Sequence, residues 1–388
     1  MKGPADEAAM TRHNIPLGRI FGIQIGLDYS WFVIFALLTW MLAVSYYPDE
    51  FKNWSPLLYW LTGAATAIML FVSVLLHELG HSVIALHYRI PVRSITLFLF
   101  GGVAQIEQEP PSPKAEFFVA VGGPLVSLAL SVLFYALQPV VSAVPPLLGL
   151  TEYLAYINLA LVLFNLIPGY PLDGGRVFRA IIWAVTGSMT RSTSIAANVG
   201  RFFALLLIFI GIVQMLNGNV GSGIWIAFIG WFLDNAASVQ LQQLSLQGML
   251  NGHRVAQAMN THLAIVPENL TLQELVDERI LGAGQRYFLV NRGNKTLGMI
   301  TLHRIKDVPR EKWAAMNVSD VMLPFNELKC TGPDTELWPA LQNMDRAGVN
   351  QMPVVQAGEV VGMLSRDDAI TFLRSLEELG IPGRKAAA

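Results

Sequence analysis

His77, Glu78 and His81 stand in the string His77-Glu78-Leu79-Gly80-His81, inside a long apolar stretch. On an α-helix, residues four apart share a face one turn from each other, so the two imidazoles can hold one metal ion between them. Glu78 is turned by about 100° from His77, near enough to reach a water on that ion without ligating it. Zinc brings the pKa of such a water down toward about 7, and a carboxylate in that place accepts its proton. The plainer reading is a pair of helix histidines satisfied by hydrogen bonds. It would bury three titratable groups in an apolar helix with nothing in return.

A catalytic zinc needs a third protein ligand and an open position. His87 follows His81 by six residues, about 240° around the helix, and so faces elsewhere. Asp173 is the better candidate. It sits in the segment Asn165 to Arg176 (NLIPGYPLDGGR), where Pro168, Gly169, Pro171, Gly174 and Gly175 break or kink any helix. An unwound stretch can aim a carboxylate at a metal on a neighbouring element. A turn aspartate paired with Arg176 is the other reading of Asp173, and from the residues alone both stand.

The elements that carry these groups are lipid-soluble. The chain has 388 residues, of which 53% are hydrophobic and only 14% charged, against roughly 25% charged in an average soluble domain. Residues 1–244 hold 23 charged side chains and the shorter stretch 245–388 holds 31. The first part therefore reads as a membrane domain and the second as a water-soluble appendage. Apolar runs near 29–48, 58–86, 117–138, 152–183, 200–217 and 222–240 give six candidate spans. The first opens with Tyr29, Trp31 and Phe32, as an interfacial aromatic belt does. The first 19 residues are polar and the first apolar run is long enough to span, so no cleavable signal peptide is expected.

With the N-terminus in the cytoplasm, the inside segments hold Lys2, Arg12, Arg19, Arg89, Arg93, Lys114, Arg176, Arg179, Arg191 and Arg201, and the outside segments hold Lys52 alone. This bias puts both termini, and the charged C-terminal part, in the cytoplasm. Between the second and third spans, Ile95–Phe100 and Val103–Ile106 read as two short strands around Gly101-Gly102. They form either a re-entrant β-hairpin or a plain cytoplasmic loop. Hairpin backbone is tolerated at membrane depth only where protein or a wet cavity satisfies it. Cys330 is the single cysteine, which excludes an intramolecular disulfide and a multi-Cys zinc site. It reads as a buried or half-buried small hydrophobe rather than a reactive thiol. A net charge of −2 gives no reason to expect a nucleic-acid partner.

His-Glu-Leu-Gly-His in one span and N-x-x-P-x-x-P-L-D-G in a later one together resemble the site-2 protease family of intramembrane metalloproteases. The resemblance runs from about residue 18 to 183 and includes the Phe100-Gly-Gly-Val103 hairpin and Gly122-Gly-Pro124. It implies one zinc ion per chain held by His77, His81 and Asp173, with Glu78 as catalytic base and Asn165 helping to position the substrate. It further implies a membrane-protein substrate cut within or near its transmembrane segment, as in regulated intramembrane proteolysis. Such a helix must be unwound first, and the strand around Gly101, Gly102 and Val103 offers an edge on which extended substrate could lie. A CBS-regulated transporter or channel, with the same four ionisable groups along an ion path, is the alternative of a different class. A permeation path would not require Glu directly after the first His.

Residues 251–377 contain an internal repeat of about 64 residues. Val255–Met259 matches Val318–Met322, Phe288–Val290 matches Pro353–Val355, and Gly298–Thr301 matches Gly362–Ser365. Each copy reads strand, helix, strand, strand, helix, and the pair resembles tandem CBS domains. The resemblance implies adenine-nucleotide binding between the repeats and homodimerisation. Its ribose-contact pattern falls on Thr301 in the first repeat and on Ser365 and Asp368 in the second, and Arg304 stands where the first repeat would have its aspartate. Serving only for dimerisation, or as a cover over the cytoplasmic mouth, is the plainer role.

The fold expected is thus an α-helical polytopic membrane protein of about six transmembrane helices with a small re-entrant β-hairpin, followed by a cytosolic α/β CBS pair. The expected domains are 1–244, 245–312 and 313–380. The expected place is the cell membrane.

Overall fold

The computed structural model describes residues 14–99, 101–106, 108–283, 285–293 and 295–380. Lys2, Arg12 and Phe100, each used in the sequence reading, lie outside them. The chain divides into two compact units, Met1–Leu241 and Gln242–Ala388.

Six helices of the described residues are long and apolar enough to cross a bilayer. They are α1 (Ser30–Glu50), α2 (Pro56–His87), α3 (Pro113–Val141), α4 (Pro145–Asn165), α6 (Met189–Leu216) and α7 (Val220–Leu250). A shorter helix, α5 (Asp173–Thr186), stands between the fourth and fifth. Proline opens α2, α3 and α4 within the first two positions, where its missing N–H has no intrahelical partner to lose. Large apolar side chains such as Val33, Leu37, Trp40, Val132 and Phe209 stay exposed along the spans. In water that surface would be a liability; in lipid it is the required exterior. The protein is an integral membrane protein.

The expected fourth span, 152–183, is two elements. Helix α4 stops at Asn165, and α5 starts afresh at Asp173 after a non-helical stretch through Pro168 and Pro171. The prolines cannot donate the bonds that would continue α4. The fifth helix also begins earlier than expected. Arg191 and Arg201 therefore both lie within α6, and Arg201 pairs with Asp234 of α7 at 3.0 Å.

The two strands expected between the second and third spans are present as β3 (Val92–Phe98) and β4 (Gly101–Ile106), antiparallel to each other, but Gly101 and Gly102, expected as the turn, are the first residues of β4 and pair with Phe98 and Leu97. They do not stand alone. An N-terminal hairpin, β1 (Asn14–Ile20) and β2 (Ile23–Asp28), completes a four-stranded sheet in the order β1-β2-β3-β4, with β2 parallel to β3. Helices α1 and α2 cross and return between the two parallel strands, so the sheet lies at one end of that helix pair. Phe21 and Gly22 both have positive φ in the two-residue turn joining β1 to β2, the pattern that matches strand twist in tight hairpins. The inner face of the sheet (Ile23, Ile25, Val92, Ile95) packs on Leu79 and Ala85 of α2 and on Val119 of α3. Its core therefore grips the helix turn that bears the histidines.

The second unit holds the two repeats. The first builds β5 (Ile265–Pro267), β6 (Tyr287–Arg292) and β7 (Lys295–Thr301), joined by β8 (Leu323–Pro324). The second builds the pair β9 (Gln351–Gln356) and β10 (Glu359–Ser365), and its first strand is reduced to a bridge from Thr331 to Val354. Each repeat lends its opening turn to the other. Val255 and Ala258 are buried with Leu337, Met344 and Val354 of the second repeat, whereas Val318 is buried with Leu272, Phe288 and Ile300 of the first. The two cores interlock in a pseudo-symmetric exchange.

Candidate metal centre

His77 and His81 lie on α2, with His77 ten residues before the helix end at His87. At about 1.5 Å per residue this is roughly 15 Å from the end of a helix long enough to cross a bilayer. Both rings are buried, at 4% and 5% exposure. Their Nε2 atoms are 3.2 Å apart. Asp173, the first residue of α5, puts Oδ2 3.2 Å from Nε2 of His77 and Oδ1 3.2 Å from Nε2 of His81. The structure thus brings together the three groups that the sequence singled out. Arg176 is not the partner of Asp173 in any described ion pair.

The far side of each ring is fixed by α3. His81 Nδ1 lies 2.7 Å from the Val119 carbonyl, which only accepts, so Nδ1 carries the proton and Nε2 presents its lone pair to the centre. The Gly123 amide, 3.3 Å from the same Nδ1, then has no lone pair there to bond. His77 Nδ1 lies 2.9 Å from the Ser127 hydroxyl, which can accept in the same way. Outer partners of this kind hold ligating histidines in the right tautomer and orientation.

Zinc fits this donor set. Tetrahedral zinc with bonds of about 2.0–2.1 Å separates its ligand nitrogens by roughly 3.3 Å, close to the 3.2 Å found. Room for the ion comes from a missing side chain. A Cβ on Gly123 would fall 2.2 Å from His81 Nε2 and 2.6 Å from His77 Nε2. A side chain there would crowd both donor atoms that face the centre. Glycines also bring the elements close enough. Gly80 and Gly122 face each other where α2 and α3 cross, and a Cβ on either would meet the other's carbonyl oxygen at 2.6–2.7 Å.

The loop before Asp173 folds back over the start of α5. A Cβ on Gly174 would meet the Leu166 carbonyl at 2.4 Å, and one on Gly175 the Gly169 carbonyl carbon at 2.3 Å. The Tyr170 amide donates to the Ala196 carbonyl of α6, and Gly200 of the same helix leaves room for the Tyr170 carbonyl. The Asp-Gly-Gly string is therefore a close-approach device as well as a source of the carboxylate.

Glu78 is half-buried and packs against β4, where a Cβ on Gly102 would meet its Cγ at 2.5 Å. Gly101, Gly102 and Val103 all lie on β4, the terminal strand of its sheet. Asn165 is the last residue of α4, half-buried beside the break that leads to Asp173. In the second unit, Ser365 and Asp368 cap the helix Arg366–Glu378 reciprocally, with Ser365 Oγ 2.5 Å from Asp368 Oδ2. Thr301 occupies the equivalent cap before a short helix, Leu302–Lys306, that contains Arg304. Both expected ribose contacts of the second repeat thus also serve as helix caps.

Two imidazoles, a carboxylate and a neighbouring glutamate converging inside a bundle of membrane spans define a candidate hydrolytic metal centre in an integral membrane protein. The description "Peptidase family M50" matches residues 65–151 and 142–207, and "CBS domain" matches 255–311 and 318–375. The chain is 37% identical over 367 residues to the zinc-metalloprotease-named Rip3 of Mycobacterium tuberculosis, covering 93% of each. It is 36% identical over 371 residues to sll0528 of Synechocystis, named likewise, covering 94% of this chain and 96% of that one. A solved site-2 protease from Methanocaldococcus jannaschii is 30% identical over 59% of this chain and 95% of its own, with a TM-score of 0.43. The chain belongs to peptidase family M50, the site-2 protease family of zinc metalloproteases, and carries a tandem pair of CBS domains.

Proposed function

We propose that this protein is an intramembrane endopeptidase in which His77, His81 and Asp173 hold one zinc ion and Glu78 is the catalytic base. Its substrates are membrane proteins cut within or near a transmembrane segment. The observation that carries the reading is the convergence of two Nε2 atoms and the Asp173 carboxylate, all within 4.8 Å of one another. When bound, the ion supplies a Lewis acid that acidifies water and polarises a carbonyl. The chain's own groups do the rest. Val119 and Ser127 keep the Nδ1 protons of the histidines in place and aim Nε2 inward. Glu78 takes a proton from the attacking water onto a carboxylate oxygen and hands it to the amide nitrogen as the C–N bond breaks.

A helical substrate must expose its peptide bonds before they can be attacked. Strand β4 has an open edge, and Gly102 brings that strand against Glu78. A shallow depression lined by Asp28, Thr96, Phe98, Val103 and Gln105 opens beside it. Extended substrate added along Gly101–Val103 would pair its backbone there and lie next to the base. Asn165, at the end of α4, helps to position it. Both termini face the cytoplasm, as the Lys and Arg distribution favours. The CBS pair regulates the enzyme by binding an adenine nucleotide near Thr301, Ser365 and Asp368, and joins two chains as a homodimer.

The test of the catalytic assignment is cleavage of a membrane-tethered substrate by purified protein. Glu78→Gln should abolish cleavage while the wild type cuts; cleavage at the wild-type rate would remove Glu78 from the role.

A further inference from the structure

One pair of charges in the membrane unit is untouched by the reaction and almost fully buried. Arg179 is 4% exposed and Glu116 is 0% exposed. Arg179 directs both Nε and Nη2 to the same carboxylate oxygen, Oε1, and leaves Oε2 buried with no partner among the described residues. A pair built for stability would share its two donors between both oxygens. Burying charge so incompletely is costly, and packed apolar side chains of similar size often serve a fold as well or better. The pair therefore calls for a reason beyond stability.

Its location supplies one. Arg179 lies on α5, the helix that begins with Asp173, and Glu116 lies on α3, one turn before Val119, whose carbonyl orients His81. The remaining guanidinium nitrogen, Nη1, reaches Thr193 of α6 at 3.4 Å. The guanidinium carbon stands 5.4 Å from the centre of the Tyr170 ring, in the loop that leads to Asp173. A single side chain thus joins the helix bearing the carboxylate to the helix that orients the histidines, to the helix behind, and to the loop between. A slip of α5 along α3 would carry Asp173 away from two nitrogens that it now meets at 3.2 Å.

We infer that the Arg179–Glu116 pair is a positioning device that sets Asp173 against His77 and His81 and so tunes metal affinity. This rests on the metal reading above. The guanidinium is suited to the task because its rigid fork holds several partners at fixed angles, which a lysine ammonium does not.

The test is the zinc dissociation constant of the full chain in detergent, read by chelator competition, together with the melting temperature of the zinc-free protein. The double variant Glu116→Leu with Arg179→Met leaves no unpaired charge, so the zinc-free protein should melt at or above the wild-type temperature. Its zinc affinity should fall by about 10-fold or more, up to the roughly 100-fold that losing a group bonded directly to a ligand costs. In an Asp173→Asn background the same double substitution should change zinc affinity by no more than about twofold, because the group it positions is already gone. Unchanged affinity in the double variant, or an equal loss in both backgrounds, would overturn the inference. Should the double variant fail to fold, Arg179→Lys takes its place, with the same weakening expected and unchanged affinity overturning it. A wild type that takes up no zinc would instead sink the metal reading, and this inference with it.

Discussion

At the scale of the residue, the centre is defined as much by what is missing as by what is present. The His77-Glu78-x-x-His81 string was readable because two ligands and a base share one helical turn. Its outer partners were not. Val119 acts through its backbone carbonyl and Ser127 is a lone hydroxyl in an apolar span, and neither leaves a mark in a single sequence. Gly123 acts through an absent Cβ. The substitution Gly123→Ala should abolish zinc binding, since its methyl would sit 2.2 Å from His81 Nε2 and 2.6 Å from His77 Nε2 and push both donors out of place. Measured zinc content near one ion per chain in that variant would contradict the geometry. Gly102→Ala makes a different prediction. It crowds Glu78 and not the ligands, so zinc should stay bound while kcat falls, by up to the ~10²–10⁴-fold that a general base contributes.

At the scale of the element, the sheet and the broken fourth span place these residues. The break was legible, because Pro168 and Pro171 with three glycines cannot continue a helix. What the sequence did not disclose was that α5 would begin at Asp173 itself, because helix ends depend on how the loop packs on α6. Strands β3 and β4 were readable as a hairpin, though Gly101-Gly102 proved to be the start of β4 rather than its turn, and β1 and β2 were passed over. Ile23-Gln24-Ile25-Gly26-Leu27 does alternate, yet Phe21 in the tight turn is not the asparagine or aspartate that advertises such a hairpin. The edge of β4 yields a direct test. Proline at Val103 or Ala104 removes an N–H and stiffens the strand, so cleavage of a tethered substrate should drop sharply while zinc content holds. Unchanged cleavage would remove strand addition from the account.

At the scale of the whole molecule, the division into a membrane unit and a paired repeat was visible from charge density and internal similarity. The exchange of opening turns between the repeats was not, because matching residues in a repeat do not reveal which copy they pack against. The cytoplasmic orientation can be checked with Cys330, the one cysteine in the chain, which the structure leaves exposed where a buried or half-buried residue was expected. A membrane-impermeant maleimide should label it only after the cells are permeabilised, and labelling of intact cells would reverse the topology. The second unit should also respond to acid. Arg292 hydrogen-bonds the Glu268 carboxylate and holds its pKa below the usual range. A depressed carboxylate stabilises above its unfolded pKa, about 4.3, and that contribution is lost as pH falls through the lower folded value. Glu268→Gln should therefore flatten the loss of melting temperature between neutral pH and the acid side of that range. An unaltered slope would show that the pair contributes nothing.

The central claim is that His77, His81 and Asp173 hold a single zinc ion which Glu78 uses but does not ligate. Zinc per chain, measured on purified wild type, Glu78→Gln and the double variant His77→Ala with Asp173→Ala, tests it most directly. About one ion is expected in the first two, none in the third, and cleavage of a tethered substrate by the wild type alone. Zinc retained by the double variant, or lost from Glu78→Gln, would contradict it.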